Sequence, residues 1–222
     1  MEELQKINII YEDNHLLVVE KPINIPVCED ESHDMDFLTI LKKYIKNKYN
    51  KPGNVYLGLV HRLDRPVGGI MVFAKTSKAA SRLSKQVLEH SFKKVYVAVC
   101  ERKVPDSGEW IDYLVKDSKT NTSYVTDKDH GKIAKLKFKR LAFNNSFSLI
   151  EVYLETGRSH QIRVQFSSRG FPLVGDARYN PNSDKKTSIA LFARSIYFEH
   201  PITKEKLNFE LDIPKRYPYN LF

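Results

Sequence analysis

The sequence predicts a mixed α+β fold, a mainly antiparallel sheet with flanking helices, and three observations point there. Apolar residues recur at helical spacing in residues 36–49 (Phe37, Leu38, Leu41, Tyr44, Ile45) and again in residues 77–90 (Ala80, Leu83, Val87, Leu88). Residues 105–145 instead carry short runs divided by turns, at 108–114, 122–126 and 134–143. In the last of these, Lys135, Lys137 and Lys139 alternate with Leu136 and Phe138, the pattern of an antiparallel strand with one wet face. With 222 residues, 41% of them hydrophobic, the chain can bury a substantial core, so a single domain over 1–222, of one or two lobes, is expected.

Taken in order, residues 7–11 and 16–20 read as short strands around the polar turn Glu12-Asp13-Asn14, and Pro22 after Lys21 ends the second. Asp34 or Asp36 can cap the first helix, whose Lys42, Lys43, Lys46 and Lys48 read as a solvated face. Apolar runs at 55–60 and 70–74 then clamp a polar loop, His61 to Pro66, followed by Gly68 and Gly69. After the second helix, residues 93–100 alternate as a strand in which Tyr96 reads as an aromatic packed on a sheet face. The lysine row at 135–139 reads as protection of an exposed strand against aggregation. Residues 147–154 form another strand. Beyond it Ile162, Val164 and Phe166 have period two, yet Thr156 and Ser159 are each able to cap a helix, so periodicity leaves 159–166 open. A last strand is expected at 207–211.

Charge and cysteine usage narrow the function classes. A net charge of +9, from 36 basic and 27 acidic residues, suits a polyanionic partner. Cys28 and Cys100 lack the spacing of a disulfide framework or a zinc site, and a reducing compartment is expected. No apolar run nears the roughly 20 residues that span a bilayer, and no apolar signal segment opens the chain, so a cytoplasmic protein is expected.

The chemistry concentrates in the polar loop. Asp64 lies two residues after Arg62 and directly before Arg65, and nearby positive charge favours a carboxylate anion. Held between two strands, such an anion suits a nucleophile, a general base or a metal ligand; the plain structural reading is an Arg–Asp ion pair at a strand end. A metal-dependent nuclease would use Asp64 with His61 and Asp176. Sites of that kind gather several carboxylates, and these motifs offer arginines instead.

The stretch HRLDRPVGGIMVFAKT resembles the catalytic motif of the RluA-type RNA pseudouridine synthases, His-Arg-Leu-Asp, two variable residues, Thr-Ser-Gly and an apolar run to Ala-Lys. It departs where Val67-Gly68 stands for Thr-Ser. YEDNHLLVVEKPINIPV resembles the family's first motif, with its Lys-Pro, and KVYVAV its tyrosine strand. ETGRSHQIRVQFSSRGFPLVGDARY is similar to a third motif, about a hundred positions after the catalytic one, and ALFARSIYFEHP to a fourth, with Phe192 where histidine is usual. The resemblance spans residues 8–214 and leaves no place for an S4-type RNA-binding domain in front.

It implies that Asp64 is the nucleophile, that Tyr96 stacks on the target base, and that the third motif is helical, with Arg163 in an ion pair with Asp64. Arg62 is then expected to hold the gap left by an extruded uridine. Substrate contacts are expected from His61, Arg65, Lys21, Arg158, His160 and Gln161. The implied partner is ribosomal or transfer RNA, in a stem-loop; no cofactor, no metal and a monomer are expected. A non-catalytic RNA-binding protein of the same fold is the alternative.

Overall fold

A computed structural model describes residues 7–184 and 186–222. The chain divides into two compact units, one of residues 1–92 with 195–211, the other of residues 93–194 with 212–222.

In the first unit, the two expected strands, β1 (Asn8–Glu12) and β2 (Leu16–Lys21), pair antiparallel as a hairpin. Asp13 makes the turn, its Oδ1 accepting the N–H groups of His15 (2.7 Å) and Leu16 (2.6 Å). Every residue of β4 (Gly68–Ala74) is buried, which explains its unbroken apolar run. β2 pairs antiparallel with β4 from Leu16↔Ala74 to Lys21↔Gly69. That register sets Lys21 opposite the end of the His61–Pro66 loop. Of the run at 55–60 only β3 (Gly58–Leu59) joins the sheet, because just these two residues reach partners on β4, Ala74 and Phe73.

Helix α1 (Phe37–Lys48) is capped by Asp36, whose Oδ1 accepts the Thr39 N–H (3.0 Å), and Phe37 meets Phe73 of β4 edge-on at 6.1 Å. Its basic face is not wholly solvated. Lys48 donates to Glu12 (2.6 Å), which also accepts from Lys75 (2.8 Å), Tyr49 (2.8 Å) and Tyr44 (3.0 Å). Burial raises the Glu12 carboxyl, but these donors outweigh it and bring it down to about 2. The cluster ties the hairpin to α1. Helix α2 (Ser77–Leu88) starts at Thr76, whose Oγ1 accepts the Ala79 N–H (3.2 Å).

The second unit contains β5 (Lys93–Glu101), β6 (Ser107–Asp117), β7 (Thr122–Thr126), β8 (Lys132–Asn144) and β9 (Phe147–Leu154), ordered β5-β9-β8-β6-β7 and antiparallel throughout. β8 lies between β6 and β9, so its lysines guard no exposed edge. They occupy one face of an inner strand, where Lys137 reaches Glu155 (3.0 Å) and Glu109 (3.8 Å). The unit boundary falls inside β10 (Leu191–Glu199), whose later residues pair antiparallel with β11 (Lys206–Glu210) in the first unit.

The segment left open by periodicity is a helix, α3 (Gln161–Ser167). Its residues 161–166 are all buried, so it has no polar stripe to give a period of 3.6. Neither Thr156 nor Ser159 caps it. His160, in a left-handed conformation (φ 53°), occupies the position before its first turn, without a side-chain cap bond. Phe166 of α3 packs in an aromatic cluster with Trp110 (4.5 Å) and Phe138 (5.5 Å).

Candidate active site

In the first unit the polar loop alternates in burial: His61 and Leu63 point inward, Arg62 is exposed, and Asp64 is intermediate. The Val72 N–H of β4 donates to His61 Nε2 (3.3 Å), and the ring lies 5.4 Å from Phe92. His61 is thus a packing and hydrogen-bonding residue of the loop. The Val67 N–H donates to the Asp64 carbonyl (3.0 Å), closing a turn over Arg65 and Pro66.

Lys21 holds that turn from below. Only 1% exposed, its ammonium donates to the carbonyls of Val67 (2.9 Å), Arg65 (3.1 Å) and Pro22 (2.8 Å). These three bonds match the three donors of an ammonium. Burial lowers its pKa to about 8, Asp64 favours the charged form and Arg65 opposes it. The expectation of a substrate contact for Lys21 therefore gives way: it is an internal clamp and a buried cation beside Asp64.

The departures from the resembled motif have local causes. Val67 is buried, 2% exposed. At Gly68 a Cβ would meet Ile23 Cγ2 at 3.0 Å and the Lys21 carbonyl at 3.2 Å, so serine would crowd the clamp. Gly69 has φ 121°, where a side chain is strained. Arg65, expected among the substrate contacts, is engaged within the unit by Asp34, Ser32 (2.7 Å) and Asp30 (3.6 Å).

In the second unit Tyr96 lies on β5, 6% exposed, with Lys94 two residues earlier on the same strand face. α3 carries Arg163, 5% exposed, whose Nε and Nη2 donate to Asp176 Oδ2 (2.8 Å) and Oδ1 (2.7 Å). The Arg163 guanidinium also stands over the Tyr179 ring, 5.0 Å from its centroid. Asp176 is itself oriented by the N–H groups of Arg178 (3.2 Å) and Tyr179 (3.3 Å).

The other residues of the third motif shape the backbone. Gln161, 3% exposed, accepts from the Arg158 N–H (3.0 Å) and Thr156 Oγ1 (2.8 Å) and donates to the Lys135 carbonyl (3.0 Å). His160 Nδ1 bonds the Tyr179 hydroxyl (2.7 Å), and Arg158 Nε donates to the Ile133 carbonyl (2.8 Å). Gln161 and His160 thus position α3. Two contributors escaped the sequence reading: Asp176, quoted within the third motif but weighed only as a metal ligand, and Tyr179, which closes the same quoted stretch but was given no role.

Among the described residues no group of three or more His, Cys, Asp or Glu side chains is placed to hold a metal, and no helix is long and apolar enough to cross a membrane. The first unit offers an aspartate on a braced turn with a buried ammonium under it, and the second a buried guanidinium and an aromatic on a strand.

Residues 15–168 match the RNA pseudouridylate synthase family. The chain is 34% identical over 215 residues, 96% of its length, to the uncharacterized RNA pseudouridine synthase YhcT of Bacillus subtilis, covering 70% of that protein. It is 32% identical to ribosomal large subunit pseudouridine synthase D of Pseudomonas aeruginosa, with 95% of this chain and 69% of that protein covered. Among solved structures, human RNA pseudouridylate synthase domain containing 4 has the same fold, with a TM-score of 0.82, 21% identity and coverage of 99% of this chain and 93% of that one. An α+β fold with these motifs defines an RNA-modifying isomerase. The chain belongs to the RNA pseudouridylate synthase family, of the RluA type, and isomerises uridine in RNA to pseudouridine.

Proposed function

We propose that Asp64 is the nucleophile of this isomerisation, with Tyr96 as the stacking partner of the uracil and Arg163 as the cation that keeps Asp64 ionised and aimed. The observation that carries this reading is the braced turn: the Asp64 backbone sits on a loop whose carbonyls are gripped by a buried ammonium, Lys21. Preorganised charge of this kind suits an attacking carboxylate. A uridine in a stem hides its glycosidic bond, so the nucleotide is extruded, and the exposed Arg62 holds the gap. Asp64 attacks at C1′ or C6, the N1–C1′ bond breaks, the uracil turns, C5 bonds to C1′, the bond from Asp64 to the nucleoside breaks and returns the free carboxylate, and the C5 proton leaves as N1 gains one. Atoms and electrons balance within one nucleoside, so the reaction needs no outside oxidant, reductant or group donor, and the proposed route uses no metal.

The substrate is a stem-loop of ribosomal or transfer RNA, and the enzyme works as a cytoplasmic monomer. Support for ribosomal RNA comes from the name of the Pseudomonas relative, and support for a polyanion from the net charge of +9. Mapping pseudouridines in ribosomal and transfer RNA with and without the gene tests the proposal. One or a few uridines in stem-loops should lose modification; loss confined to other RNA classes would contradict it.

A further inference from the structure

The second unit contains a cavity of about 410 Å³ beside the start of α3, within the ~300–1,000 Å³ of small-ligand clefts. Its walls come from the end of β6, from β7, from the first residue of β8 and from the 157–159 loop. Lys116, Lys132 and Arg158 bring three cations to it, and no carboxylate is among the residues that line it. At the rim His130 is paired with Asp127 (2.7 Å). Leu114, 4% exposed and on the same face of β6 as Lys116, supplies its apolar floor.

Ser123 adds an independent sign of a ligand. It lies opposite Lys116 in the β6–β7 register and is 4% exposed, and its hydroxyl has no hydrogen-bond partner among the described residues. Buried polar groups normally have one. Three cations, an apolar floor and an unmatched hydroxyl fit a phosphodiester-linked nucleotide, with its phosphate on the cations and its base over Leu114.

We infer that this cavity is a second RNA subsite, which takes a nucleotide of the substrate other than the reacting uridine. The inference rests on the reading of the chain as an RNA isomerase. Position supports it: a Cβ on Gly157, in the cavity wall, would lie 3.2 Å from Lys94 Nζ, and Lys94 stands two residues before Tyr96 on the same face of β5. A strand seated in the cavity is therefore led toward Tyr96 by one further cation. The wall is also linked to Arg163. The Ser123 N–H donates to the Tyr179 hydroxyl (2.7 Å), and the Tyr179 ring carries the Arg163 guanidinium. Filling the subsite steadies β7 and, through Tyr179, the arginine.

The test compares Lys116→Ala/Lys132→Ala with Lys42→Ala/Lys46→Ala, which removes the same charge from α1. Binding of a fluorescent stem-loop RNA with a uridine-rich loop is measured across a salt series, with every variant in an Asp64→Asn background. The cavity pair should weaken binding about tenfold and flatten the log affinity against log salt slope by about 1.4, the value for two phosphate contacts at about 0.7 each. Ser123→Val should weaken binding without altering the slope. Affinity and slope equal to those of the α1 control would overturn the subsite. Pseudouridine formation by the Asp64 form on RNA from cells lacking the gene is followed separately. Its absence would count against the isomerase reading, while the binding comparison still decides the cavity.

Discussion

Arg163 and Asp176, both buried, face each other through two parallel hydrogen bonds of 2.8 and 2.7 Å. The pair fixes the plane of the guanidinium on α3, and the carboxylate balances a charge that burial would otherwise make costly. Asp176→Ala removes both bonds that fix the guanidinium and breaks a buried ion pair, and should cost about 3–5 kcal/mol of stability. Removing both charges, as Arg163→Met/Asp176→Leu, should cost less than Asp176→Ala alone while still abolishing turnover. Urea unfolding of the two variants beside the wild type checks the order; a double variant less stable than the single one would contradict it.

Lys21 gives the enzyme an alkaline limit. With its pKa lowered by burial to about 8, its ammonium loses a proton above that pH, and one of three backbone carbonyls loses its donor. Turnover should fall above about pH 8, and Lys21→Met should be slow at every pH and lack that limb. Unfolding is not the cause. The folded pKa lies below the unfolded value of about 10.4, so the unfolded chain binds more protons in between, and this group makes stability rise with pH across that window. A wild-type rate constant from pH 7 to pH 10 would remove the clamp from the account.

Tyr96→Ala should weaken RNA binding by about 1–3 kcal/mol for the lost base stacking. Tyr96→Phe should bind RNA nearly as well as the wild type and turn over more slowly, since the ring remains and the hydroxyl is gone. Equal binding by Tyr96→Ala and wild type would make Tyr96 a core residue only.

Gly69, at φ 121°, should not accept a side chain: Gly69→Ala is expected to lose about 1–3 kcal/mol of stability. Gly68→Ser should be milder and depend on its neighbour. The clash it meets is with Ile23 Cγ2 at 3.0 Å, which Ile23→Ala removes. Thermal unfolding in which Ile23→Ala brings no relief to Gly68→Ser would show that the Lys21 carbonyl, at 3.2 Å, sets the limit.

Local chemistry carried much of the fold into the sequence. Asp36 and Thr76 cap the two helices whose apolar spacing was legible, alternation marked β5 and β8, and short runs divided by turns marked β6, β7 and β9. Periodicity failed at α3, where burial on all sides erases the polar face. The roles of Lys21 and Asp176 were hidden for another reason. A lysine at a strand end reads as surface, and only the β2–β4 register brings its Nζ beneath carbonyls 44 and 46 residues later. Asp176 meets Arg163 because the chain turns back after α3, which no spacing rule reports.

The central claim is that the Asp64 carboxylate performs the isomerisation without a metal. It is tested most directly by single-turnover pseudouridine formation with excess enzyme on RNA from cells lacking the gene, with EDTA present, comparing wild type with Asp64→Asn and Asp64→Ala. The wild type should react fully in EDTA, and both variants should bind the RNA yet form essentially no pseudouridine, the signature of an interaction used in the transition state. Product from Asp64→Ala at a rate near that of the wild type, or a wild type silenced by EDTA on RNA that remains folded, would contradict it.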